Sequence, residues 1–224
     1  VAALEQARAH QDPKMAEADK AIVEVYMKQG NFDQAAAVSR RVISAGADTP
    51  TQLFRMRLVE CLVKLKDFAA ADTELKAMGT NIESDATTMM LAAEIKAGIN
   101  DTRGQKDLLD RAVTRFPTNP LVFMKRGQSL SGDIRTAREA ISDFNKAIQL
   151  NPNMWQAYRL RGAAHLVLGQ KDPDAYNDLS TAALLAPYND DLVYGLVSDF
   201  IRDNKMSRAT ELATQIIGTR DRDI

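Results

Sequence analysis

Apolar residues recur along this chain in paired helical stripes. Ile22, Val23 and Tyr26 are followed by Phe32, Ala35 and Val42, and further on Leu58, Val59 and Leu62 are followed by Phe68, Ala71, Leu75 and Met78. Spacings of three, four and seven put such residues on one face of a helix, so each stretch predicts two helices joined by a turn. The same order returns downstream. Asn119-Pro120-Leu121-Val122-Phe123-Met124-Lys125-Arg126-Gly127 has the turn signal, apolar and basic residues and closing glycine of Asn151-Pro152-Asn153-Met154-Trp155-Gln156-Ala157-Tyr158-Arg159-Leu160-Arg161-Gly162, 35 positions later.

Stretches of this kind begin near residues 16, 52, 85, 120, 155 and 190, a step of 33 to 36 residues. A period in that range is the signature of a helical repeat array, in which each hairpin buries its apolar face against its neighbours. Small residues at Val23, Val59, Ala92, Gly127, Gly162 and Val197 fall where paired helices must approach closely. Prolines 50, 117, 152 and 187 stand between units and stop one helix before the next begins. Gly169 reads as the end of a first helix, and Gly98-Ile99-Asn100-Asp101-Thr102-Arg103-Gly104 as a long turn.

The pattern of a bulky residue and small pair on the first helix, then alanine, bulky residue, alanine and proline on the second, resembles the tetratricopeptide repeat. The unit from Trp155 carries it most fully, with Gly162, Ala175, Leu179, Ala182 and Pro187. The resemblance implies an all-α, right-handed α-α superhelix, a single solenoid over residues 1–224. Its repeats run near 16–50, 52–82, 85–118, 120–153, 155–188 and 190–218, with an incomplete unit over 1–13. Frequent Asn-Pro and small residues make the wording of the repeats similar to bacterial repeat proteins, including those of envelope and polysaccharide-export systems.

Charge adds little to this picture. Lys and Arg total 29 against 30 Asp and Glu, which gives no net field to attract nucleic acid or an acidic membrane surface. Arg55, Arg57, Lys125, Arg126, Arg159 and Arg161 recur on first helices, but Glu60 and Glu94 are interleaved, so a solvated stripe is expected rather than a nucleic-acid interface. No apolar run approaches a membrane span. The chain opens without a methionine on Val1-Ala2-Ala3-Leu4, which reads as a helix already under way in a fragment or processed chain. The compartment stays open between the cytoplasm and the bacterial envelope.

Candidate chemistry is sparse. His10 and His165 are far apart and neither has a second ligand at helical spacing. Cys61, the single cysteine, sits between Glu60 and Leu62 in an apolar helix and is expected to be a buried thiol. No phosphate loop, HExxH, GxSxG or EF-hand pattern occurs. Asn100-Asp101-Thr102 matches a glycosylation acceptor only formally. No catalysis, cofactor or metal is expected.

In the resembled family the second, fifth, ninth and twelfth positions of first helices line a concave groove. The fifth position reads Lys20, Met56, Met89, Met124, Arg159 and Tyr194, and the second reads Glu17, Leu53, Ala86, Leu121, Gln156 and Asp191. Leu53, Met56, Met89, Leu121 and Met124 form the expected apolar contact strip, since methionine moulds to partners of varied shape. Lys20, Arg159 and Tyr194 would add polar ends. The alternative is that neighbouring helices cover these methionines. The carboxylate clamp of some family members is not evident, because Glu24 and Arg57 stand where asparagines are wanted.

These readings converge on a non-catalytic scaffold that captures a protein or peptide segment in the groove. The alternative is a structural or self-assembling part of a larger protein, stacking through uncapped terminal repeats.

Overall fold

The computed structural model describes residues 15–45, 51–79, 82–169 and 173–221. The half-unit expected over residues 1–13 lies outside them, as do His10 and Pro50. The described residues form twelve α-helices and no strand: α1 (Met15–Lys28), α2 (Phe32–Ser44), α3 (Thr51–Lys64), α4 (Phe68–Ala77), α5 (Ala86–Gly98), α6 (Thr102–Arg115), α7 (Pro120–Leu130), α8 (Ala137–Leu150), α9 (Trp155–Val167), α10 (Pro173–Leu185), α11 (Asp190–Arg202) and α12 (Met206–Arg220). The fold is an all-α helical repeat.

Local sequence explains where the helices begin and end. Asp67, Asp85, Asn119 and Asn189 each precede a helix and accept a hydrogen bond from one of its first free amides. Pro120 occupies the first helical position of α7, where no amide donor is needed. Except in the α7–α8 hairpin, the turns inside hairpins pass through a left-handed residue: Gly30, Lys66, Asn100, Gly169 or Asn204. The expected long turn at Gly98–Gly104 is not formed. Gly98 is the last residue of α5 and Gly104 lies in the first turn of α6, its amide bonded to the Asp101 carboxylate at 2.9 Å. Gly98 is small because the Phe68 ring lies against it.

The chain comprises two compact units, Val1–Leu109 and Asp110–Ile224. In the first, α1 packs on α2, α2 on α3, α3 on α4 and α4 on α5, with α3 also touching α1 and α5. Its core holds Ile22, Val23, Ala35, Val42, Phe54, Leu58, Val59, Leu62, Ala71, Leu75 and Ile95. In the second unit consecutive helices from α7 to α12 pack in turn, and α10 also touches α12. Its interior includes Phe144 between Ala140 and Ala164, and a larger cluster around Tyr176, Leu196, Phe200 and Leu212.

Close helix approach is achieved where the small residues fall. A Cβ added at Gly162 would lie 2.8 Å from the Ala175 carbonyl oxygen, and one at Gly127 would lie 2.7 Å from the Phe144 ring. Backbone cannot yield as a flexible side chain can, so α9 and α10 meet only because Gly162 lacks a side chain. At the end of the second unit Arg220 donates to the Pro187 carbonyl and to Asp190 at 2.6 Å, tying α12 to the turn before α11.

Candidate functional site

The expected contact residues lie on first helices, and their exposure sorts them into two groups. In the first unit Lys20 is exposed, while Leu53 and Met56 are half-buried. Met89 has an accessibility of 0% and belongs to the core. That removes Met89 from the expected strip: Met90, Ala92, Ala93 and Ile95 of α5 are also buried, so its fifth position faces protein.

In the second unit Leu121, Arg159 and Tyr194 are exposed, Tyr194 at 69%. Met124 is only half-exposed and packs against both the Phe144 cluster and the cluster formed by Ala147, Met154 and Ala157. The apolar middle expected from the sequence is therefore partly spent on packing. The covered-methionine alternative describes Met89 fully and Met124 in part.

Two rows that the sequence reading left unfilled complete the second-unit face. Ala163 and Leu166 follow Arg159 on α9 by one and two turns, as Ser198 and Ile201 follow Tyr194 on α11. Leu166 and Ile201 are exposed, Ile201 at 47%. Both helices pack on α10 and present the same order: polar Gln156 or Asp191, then Arg159 or Tyr194, a small residue, and an aliphatic one. The ninth and twelfth positions of the repeat were the available signal.

The suspected basic stripe is mostly neutralised. Arg55 pairs with Glu74 at 2.9 Å, and Arg57 bridges Glu24 at 2.6 Å and Glu60 at 2.8 Å. Burial opposes the Arg57 charge, but the two glutamates overcome it and raise the pKa. Arg126 meets Asp143 through two hydrogen bonds, of 2.8 and 2.7 Å, and reaches Asp110 at 3.2 Å. Arg161 meets Asp178 in the same way, at 2.7 and 2.5 Å, and reaches Asn145 at 2.6 Å. Lys125 also has a partner. Arg159 makes no ion pair or hydrogen bond among the described residues, so its charge faces solvent.

Other chemistry-bearing groups have structural surroundings. Cys61 is fully buried, and burial pushes its thiol up to about 11. His165 is half-buried and partnered near the end of α9. No group of three or more His, Cys, Asp and Glu suited to a metal occurs among the described residues. No helix among them is long and apolar enough to cross a membrane. A cleft of about 240 Å³ lies between α10 and α12, lined by Asn177, Thr181, Leu184, Arg208 and Glu211 among others.

Comparison with known proteins gives this arrangement a family setting. A tetratricopeptide repeat family model matches residues 1–50 and 20–77. Among solved structures, a MamA fragment from Desulfovibrio magneticus is 16% identical, with a TM-score of 0.57 over 80% of this chain and 100% of its own. A thermophilic TPR protein of Thermus thermophilus is 17% identical, with a TM-score of 0.59 over 75% of this chain and 90% of its own. YrrB, described as a TPR protein with an unusual peptide-binding site, is 13% identical, with a TM-score of 0.53 over 86% of this chain and 97% of its own. At these identities the likeness is one of fold.

Proposed function

We propose that this tetratricopeptide-repeat protein is a non-catalytic scaffold that holds a segment of another protein against its exposed first-helix faces. The carrying observation is the matched display on α9 and α11. Helices whose apolar positions served only the core would show polar residues outward, whereas Leu166 and Ile201 stand in solvent two turns from Arg159 and Tyr194. The description of YrrB as having a peptide-binding site supports the same reading. Leu53 and Met56, with exposed Lys20, are candidate contacts on the first unit, and Leu121 with half-buried Met124 on the second.

Affinity capture from the source cell tests the proposal. The double variant Arg159→Glu, Tyr194→Ala should lose the partner while keeping a wild-type far-ultraviolet spectrum, since neither side chain contributes to the core. Equal recovery by the variant would retire the first-helix face.

A second reading is favoured by α12, where Met206 and Ile217 are 57% and 60% exposed. These side chains suit stacking of another helix, from a second copy or from further chain. Sedimentation across a hundredfold range of concentration discriminates: self-association weakened by Ile217→Asp supports stacking, and a constant monomer mass counts against self-stacking.

A further inference from the structure

We propose that the cleft between α10 and α12 binds a free α-amino acid with an aliphatic side chain, held as its zwitterion by Arg208 and Glu211. The site lies on second helices and is independent of partner capture on the first. Asn177, Thr181 and Leu184 of α10 and Arg208, Glu211 and Gln215 of α12, each set at helical steps of three or four, line its two walls. Charge defines the two ends of the ligand. An arginine and an acid three positions apart on a helix can pair, as Arg202 and Asp199 do at 2.6 Å. Neither Arg208 nor Glu211 joins an ion pair among the described residues. Arg208 donates to Asn177 at 3.0 Å and lies 5.6 Å over the Tyr176 ring, and Glu211 accepts from Gln215 at 3.4 Å. Most of the guanidinium donors and the carboxylate lone pairs therefore remain for a ligand.

A simple anion drawn to Arg208 meets repulsion from Glu211, and a simple cation drawn to Glu211 meets it from Arg208. An α-amino acid carries a carboxylate and an ammonium on one carbon and satisfies both. The Thr181 hydroxyl donates to the Asn177 carbonyl at 2.8 Å and keeps oxygen lone pairs to accept from the ammonium. Size and surface set the rest. A cavity of about 150 Å³ accommodates benzene, so the cleft has room for roughly ten non-hydrogen atoms, the size of leucine. Leu184, 36% exposed, and buried Leu212 supply apolar surface for the side chain.

Titration of the isotope-labelled whole chain with L-leucine, N-acetyl-L-leucine and L-leucinamide, followed by amide chemical shifts, is the test. L-Leucine should shift Thr181, Leu184 and Gln215 saturably in the millimolar range. Each analogue lacks one charge and should bind at least tenfold more weakly. Arg208→Gln and Glu211→Gln should each weaken L-leucine at least tenfold while the shifts of the first-helix residues Arg159 and Tyr194 stay at their wild-type values. Equal responses to the three compounds would overturn the proposal, because apolar contact alone would then suffice. L-Leucine binding that ignores both variants, or a cleft that stays silent at millimolar L-leucine, would overturn it as well.

Discussion

Arg161 and Asp178 lie on adjacent helices of one hairpin and meet through two hydrogen bonds, of 2.7 and 2.5 Å, with the Asp178 side chain only 9% exposed. The same guanidinium reaches Asn145 on the second helix of the preceding hairpin. Shifted by 35 residues, the arrangement recurs as Arg126, Asp143 and Asp110. One planar cation thus joins the two helices of its own hairpin and ties them to the hairpin before. Such a clasp fixes how successive repeats stack.

Removing one partner should be far worse than removing both. Asp178→Ala leaves a largely buried guanidinium without its carboxylate, and a loss of about 3 kcal/mol is expected in denaturant unfolding of the whole chain. Replacing the pair together, as Arg161→Met with Asp178→Leu, should come within about 1 kcal/mol of wild type. Equal losses for the single and double variants would mean that the pair matters only as packed volume.

The same substitution should have opposite signs at two glycines. Gly162→Ala puts a Cβ 2.8 Å from the Ala175 carbonyl, so a loss of about 1–3 kcal/mol is expected despite the better helix propensity of alanine. At Gly195 an added Cβ meets nothing within 4 Å, and Gly195→Ala should stabilise α11 by about 0.5–1 kcal/mol. Thermal melts of the two variants settle the comparison, and a stabilised Gly162→Ala would contradict the close approach of α9 and α10.

The Cys61 thiol should stay unmodified by thiol reagents in the folded protein and react on unfolding. Burial raises its folded pKa from the ordinary 9.0 to about 11. The associated stability is present below about pH 9 and is lost as pH rises toward 11, because the unfolded thiol ionises first. Two pKa units correspond to roughly 2–3 kcal/mol, and Cys61→Ser should abolish that part of the alkaline loss. Rapid labelling at neutral pH under native conditions would contradict the burial.

Asp85 gives the acid counterpart. Its partial burial opposes the charge, but hydrogen bonds from the Thr88 hydroxyl and amide, at 2.6 and 2.9 Å, outweigh it and hold the carboxyl below its ordinary value. The cap therefore stabilises α5 above the usual carboxylate range and fades as pH falls through the lowered pKa. Asp85→Ala should cost about 1 kcal/mol at neutral pH and progressively less in acid. A difference that does not change with pH would mean the carboxylate is not the capping group.

The architecture was legible because repetition reports the same physical demand several times over. Gly127 and Gly162 announced close helix contacts, and both glycines sit where a side chain would collide. Contact residues were less legible, because a repeat position specifies a direction and not what lies there. Met89 occupies the same position as Arg159, yet Met89 is buried and Arg159 is exposed. The basic residues misled for a related reason. Arg126 and Arg161 look like surface charges until Asp143 and Asp178, at the same 35-residue step, are seen as their partners. The turn at Asn100 was hidden by two flanking glycines that serve packing and capping instead.

Amide chemical-shift mapping of the whole chain with the captured partner segment tests the proposed binding face most directly. Perturbations should centre on Leu121, Arg159, Ala163, Tyr194 and Ile201, while Thr181 and Glu211 in the cleft between α10 and α12 stay unchanged. The reverse pattern, with that cleft responding and Arg159 and Tyr194 silent, would contradict binding on the first helices.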